Sequence, residues 1–172
     1  QRIESSGIRK VVDLARTIKE PVNLSIGQPD FDVPESVKQA GIQAMENGYN
    51  GYTPTQGLPQ LREKLQLAVD AEYWHDDRQV FVSSGTSGGL VLAMQALIDP
   101  GDEVILFDPF FVMYEPLVQL VDGVPVLIDT YPDFKIDLNK VEAALTDKTK
   151  LNILNSPSNP TGYVPSRNEV NA

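Results

Sequence analysis

Apolar positions fall into two patterns along this chain. Up to about residue 75 they recur mostly with helical spacing. Ile8, Val11, Val12 and Ala15 share one face and predict a helix over Ile3–Ile18, stopped by Pro21. Val22-Asn23-Leu24-Ser25-Ile26 alternates instead and predicts a short strand, turned by Gly27-Gln28-Pro29-Asp30. Asp32 is placed to cap a helix that has Pro34 in its first turn and ends near Asn47-Gly48. Asn50 to Gly57 reads as a loop. Pro59 then opens a further helix with Leu61, Leu65, Ala68 and Val69 facing inward.

From Val80 the chain alternates strands and helices. The predicted strands are Val80–Ser83, Glu103–Asp108, Val124–Ile128 and Leu151–Asn155. The predicted helices are Leu90–Ile98, Met113–Val121 and Asn139–Leu145. Val104-Ile105-Leu106-Phe107 is a continuous apolar run, as expected of a parallel strand covered on both faces. The expected fold is α/β, a three-layer α/β/α sandwich with a mostly parallel sheet that lacks its later strands.

Composition narrows the function. The 172 residues suffice for a domain with a real core. The net charge of −10 comes without any basic run, which argues against nucleic acid and anionic membrane surfaces. Without cysteine there is no disulfide framework and no thiolate metal site, and no metal site is expected. His75, beside Asp76 and Asp77, reads as a solvated loop residue. No apolar stretch is long enough to span a membrane and no secretory signal is visible, so the expected location is cytoplasmic. Because the first residue is Gln1, the missing leader carries little weight.

Candidate chemistry gathers at the strand ends, where ligands bind in open α/β sheets. Ser83-Ser84-Gly85-Thr86-Ser87-Gly88-Gly89 joins a predicted strand to a predicted helix. Backbone N–H groups, hydroxyls and the helix dipole would converge there on an anion, most commonly a phosphate; a tight turn without ligand is the alternative. The dinucleotide pattern G-x-G-x-x-G is broken at Gly85-Thr86-Ser87, and a P-loop would need a lysine this stretch lacks. A second strand end carries Asp108-Pro109-Phe110-Phe111. A third carries Asn155-Ser156-Pro157-Ser158-Asn159-Pro160-Thr161-Gly162. An anion seat, an aromatic face and a carboxamide around one crevice suit a flat aromatic ligand bearing a phosphate.

These segments, in this order, resemble the pyridoxal-phosphate-dependent aminotransferases of classes I and II. Leu24-Ser25-Ile26-Gly27-Gln28-Pro29-Asp30-Phe31, Tyr52 through Arg62, and Asp99-Pro100-Gly101-Asp102-Glu103-Val104 carry the likeness along with the strand ends. The resemblance implies pyridoxal 5′-phosphate as cofactor, amino acid and 2-oxo acid as substrates, and a homodimer. It implies that Gly85, Thr86 and Ser87 hold the phosphate, that Phe111 stacks on the pyridine ring and that Asn159 donates to the ring's phenolic oxygen. Tyr52 would reach the phosphate of the partner's cofactor, and Gly27 would bring backbone to the substrate carboxylate. Core packing is the bland alternative for Phe111, more so for Phe110, and an Asn-Pro turn is the alternative for Asn159.

The same resemblance requires a lysine that bonds the cofactor, an acid for the pyridine nitrogen and an arginine for the substrate, all downstream of the Asn-Pro-Thr-Gly segment. None of the eight lysines, at 10, 19, 38, 64, 135, 140, 148 and 150, sits in such a context, so no catalytic residue is assigned. The chain is therefore expected to be the N-terminal portion of an aminotransferase, inactive alone. Residues 1–32 would form an arm and a piece of the small domain, and 33–172 the first part of the large domain. A lyase or decarboxylase of the same fold and a non-catalytic aminotransferase-like domain remain alternatives.

Overall fold

In a computed structural model, the structure describes residues 11, 13–20, 22, 27, 29–73 and 77–171. They fall into two compact units divided between Ser83 and Ser84. Most of the predicted Ile3–Ile18 helix, the Val22–Ile26 strand and His75 lie outside the described residues. Val11 and residues 13–15 are helical, and the chain turns from residue 16.

The first unit holds α1 (Glu35–Glu46) and α2 (Pro59–Tyr73). Pro34, not Asp32, takes the N-cap position of α1, without a side-chain cap. Asp32 instead accepts from the Val33 N–H (2.8 Å) and pairs with Lys38, which holds its carboxyl below the usual range. Leu61, Leu65 and Ala68 of α2 are exposed rather than inward, and Val69 is only half-buried. Their helical spacing is real, but the described residues of this unit cover them with nothing.

Val80–Ser83 is not a strand. The Val80 N–H donates to Gln66 Oε1 (2.8 Å) and the Val82 N–H to the Gln56 carbonyl (3.0 Å). Arg62 Nε takes the Val80 carbonyl at 3.0 Å. These backbone groups are satisfied by α2 side chains and a loop, so the segment stays extended without a ladder.

The second unit alternates α3 (Gly85–Leu97), β1 (Glu103–Asp108), α4 (Tyr114–Leu120), β2 (Val124–Asp129), α5 (Leu138–Ala144), β3 (Thr149–Ile153) and α6 (Arg167–Asn171). The sheet is parallel, in the order β2-β1-β3, so the molecule is α/β as expected. In central β1, Val104, Ile105 and Leu106 are fully buried. Alternation sends Ile105 to one face and its neighbours to the other, so both faces are covered. Val104 and Leu106 pack with Met94 and Ile98 from the end of α3 and with Tyr114, Leu117 and Val118 of α4. β3 begins two residues before the predicted strand and ends two before its end. Thr149 pairs with Glu103 before a register shift, while Leu154 and Asn155 leave the ladder.

Candidate functional site

Helix α3 starts at Gly85, five residues before the predicted Leu90, so the Ser/Gly/Thr segment is mostly its first turns. Gly85 has φ +67°, a left-handed conformation strained for any residue with a Cβ. The Gly88 N–H donates to the Ser84 carbonyl at 3.2 Å. The Thr86 and Ser87 N–H groups stand ahead of that intrahelical bond, at the positive end of a 13-residue dipole with no acidic residue in its first turn. Both side chains are exposed. Ser87 Oγ donates to Met113 Sδ at 3.2 Å, a weak acceptor that a phosphate oxygen could replace.

Met113 is two residues beyond Phe111, so this contact joins the helix start to the aromatic arm leaving β1. Phe111 is half-buried and meets Tyr114 edge to face, with centroids 5.7 Å apart at 75°. Burial pushes the Tyr114 phenol pKa up. Phe110 and Phe111 both pack against the core, but Phe110 alone of the two lines the adjoining cleft.

That cleft has about 30 Å³ of internal room, enough for a water or two but not for an aromatic ring. Asn155, Ser158, Asn159 and Tyr163 face Phe110 and Phe134 across it. Asn159 is held by its backbone, whose N–H donates to Asn155 Oδ1 at 2.7 Å. The loop closes through Ser158 N–H to the Tyr163 carbonyl (2.9 Å) and Gly162 N–H to the Ser158 carbonyl (2.7 Å), with Gly162 at φ +73°. The Asn159 side chain is thus left to the exposed end of the loop. Of the remaining candidates, Tyr52 and Gly27 belong to the other unit. The Tyr52 side chain is fully exposed, and a Cβ on Gly27 would meet nothing within 4 Å.

Sequence reading missed two features that brace this region. Thr130 Oγ1 donates to the Asp108 carbonyl at 2.7 Å, a contact across strands that no local pattern announces. Ser166-Arg167-Asn168-Glu169 is an S-x-x-E pattern that was legible. The Ser166 N–H donates to Glu169 Oε2 (2.8 Å) and the Glu169 N–H to Ser166 Oγ (3.3 Å). Tyr163 donates to Glu169 Oε1 at 2.6 Å. These bonds pull the Glu169 carboxyl down to about 2, Ser166 contributing most, and the bond to Glu169 pushes Tyr163 up to about 12.

Residues 19–172 match the model of the family "Aminotransferase class I and II". The chain belongs to the class I and II aminotransferases. A Bacillus subtilis protein named as an aminotransferase is 42% identical over 99% of this chain and 46% of its own length. Aromatic-amino-acid aminotransferase 2 of Thermococcus litoralis is 33% identical over 99% of the chain and 45% of its own length. The aspartate aminotransferase of Thermus thermophilus, solved with maleate, superposes with a TM-score of 0.88 at 36% identity, over 97% of this chain and 46% of that one. The chain thus spans less than half the length of the curated relatives it matches. Among the described residues, no helix of this aminotransferase chain is long and apolar enough to cross a membrane.

Proposed function

We propose that this chain supplies the phosphate seat and ring face of a pyridoxal-phosphate-dependent aminotransferase that moves an amino group from an amino acid to a 2-oxo acid. The observation that carries the reading is the start of α3, where left-handed Gly85 precedes Thr86 and Ser87 at an exposed helix N terminus. That donor set, all N–H and O–H without a carboxylate in the first turn, fits a phosphate ester. When bound, the cofactor draws electrons from the substrate's α-carbon. Gly85, Thr86 and Ser87 hold and orient its phosphate, Phe111 supports the ring face, and Asn159 donates to the phenolic oxygen. Gly27 receives the substrate carboxylate, and Tyr52 serves the site of a second protomer in a cytoplasmic homodimer. Residues 1–32 act as arm and small-domain segment, and 33–172 as part of the large domain.

No lysine of these 172 residues fills the covalent role. None lines the cleft. Lys38 is engaged by Asp32 and Glu35, Lys135 by Asp133 and Lys140 by the Asp129 carbonyl. Lys19, Lys64, Lys148 and Lys150 are exposed, and Lys10 lies outside the described residues. The 172-residue chain therefore does not transaminate by itself. The substrate side chain stays open, since the named relatives act on different amino acids.

The test is incubation with pyridoxal 5′-phosphate, borohydride reduction and peptide mapping, with amino-transfer assays alongside. Scattered substoichiometric labelling and no turnover are expected. A stoichiometric adduct on one lysine, with turnover, would overturn the reading.

A further inference from the structure

Thr130 is the buried polar side chain of the core region, 6% exposed. It follows β2 directly, and both its donors go to one acceptor. The Thr130 N–H reaches the Asp108 carbonyl at 3.0 Å and Oγ1 reaches the same oxygen at 2.7 Å. The first bond extends the β1–β2 ladder past its last pair, Asp108 with Asp129. The second is additional, and it fills the carbonyl's other lone pair.

Asp108 is the last residue of β1, and the next residue is Pro109, which has no N–H. The Asp108 carbonyl is thus the final backbone anchor before the chain leaves the sheet toward Phe110 and Phe111. Thr130 also holds the opposite wall of the cleft, because its own carbonyl accepts from the Phe134 N–H at 2.8 Å. Phe134 sits at φ +61°, a conformation a bulky residue keeps only when its surroundings impose it. Its ring meets Tyr131 edge to face at 5.4 Å and lines the cleft with Phe110. One buried threonine therefore ties the exit of β1 to the turn after β2.

We propose that Thr130 is a positioning residue for the ring face: its hydroxyl fixes the direction in which Asp108-Pro109-Phe110-Phe111 leaves β1. The proposal rests on the cofactor reading above only for its functional consequence. The geometric claim stands on the two bonds to Asp108. It requires that the hydroxyl, rather than the methyl, be the essential group.

The experiment uses the whole chain as wild type, Thr130→Val and Thr130→Ser, with ring resonances of Phe111 and Tyr114 followed by NMR. Valine keeps the shape and removes the donor, and serine keeps the donor and removes the methyl. The Phe111 and Tyr114 ring shifts and their mutual NOE should change in Thr130→Val and stay near wild type in Thr130→Ser. If Thr130→Val does not fold, Thr130→Ser alone decides: unchanged rings support the hydroxyl, and displaced rings overturn it. Unchanged rings in a folded Thr130→Val also overturn it, because a merely structural threonine would lower stability without moving that contact.

A second arm compares pyridoxamine 5′-phosphate with inorganic phosphate. Thr130→Val should weaken the first by about threefold to tenfold, the effect of one hydrogen bond, and leave the second unchanged. Equal weakening of both would contradict a role confined to the ring face. If neither ligand binds the wild-type chain, the cofactor reading fails, while the ring measurement still decides the position of the arm.

Discussion

The two units of this chain are held together by different forces. Beyond Ser84, β1 buries Val104, Ile105 and Leu106 completely between helices and neighbouring strands. Before it, none of the described residues is buried. There α1 exposes Val37, Ile42 and Met45, and α2 exposes Leu61, Leu65 and Leu67. What fastens α2 to its surroundings is polar: Gln66 spans the Arg78 carbonyl, the Val80 N–H and Asp70, and Arg62 takes the Val80 carbonyl. The candidate site residues for phosphate and ring lie on the unit with the apolar core. Catalytic geometry benefits from that arrangement, since a packed core does not deform continuously.

The sharpest way to break this comparison is a matched pair of truncations. Leu106→Ala should cost about 2–5 kcal/mol, the range for a fully buried leucine that leaves a cavity. Leu67→Ala, at 71% exposure, should stay within about 0.5 kcal/mol. Denaturant unfolding with hydrogen exchange, read separately in α2 and β1, would check both, and equal costs would erase the distinction.

The first unit has one tight place. Gly57 has φ +102°, and a Cβ there would stand 2.6 Å from Val82 Cγ2. Gly57→Ala should therefore destabilise by about 2–3 kcal/mol through strain and overpacking together. The smaller expected effect is on the polar tie itself. Gln66→Leu should cost about 1–2 kcal/mol and speed exchange of the Val80 amide selectively, leaving β1 protected. Uniform acceleration across both units would mean that the units are not separately held.

The second unit also carries a pH-dependent element. Glu169 is depressed to about 2 from an ordinary 4.5, so its contribution is fully present above 4.5 and lost as pH falls toward 2. Tyr163 is raised from 10 to about 12, so its contribution is present below 10 and lost as pH climbs through 12. Protection of the α6 amides should fall in both windows. Glu169→Gln should remove the acid limb, and Tyr163→Phe the alkaline one.

How much of this was legible follows the same division. Strand β1 was read at its true limits, because its apolar run is explained by burial on both faces. Strand β2 was read one residue short. Segment 80–83 has the same apolar look, yet its hydrogen bonds go to Gln66, Gln56 and Arg62, partners no local pattern reveals. Strand β3 was displaced because polar Thr149 and Lys150 enter the ladder, while Leu154 and Asn155, which look like strand, leave it. The start of α3 was read late because Gly88 and Gly89 resemble a turn, although one left-handed residue at Gly85 lets the helix begin there. Local motifs thus marked the chemistry at the strand ends, while the long-range bracing by Thr130 lay beyond them.

The central claim, that the start of α3 seats the cofactor's phosphate, has a direct measurement. Pyridoxamine 5′-phosphate, which has no aldehyde to label lysines at random, is titrated into the chain while backbone amides are followed by NMR. The account predicts weak, saturable shifts of the Thr86 and Ser87 amides, lost in Gly85→Ala. Saturable shifts confined to other segments, with Thr86 and Ser87 unmoved, would contradict it.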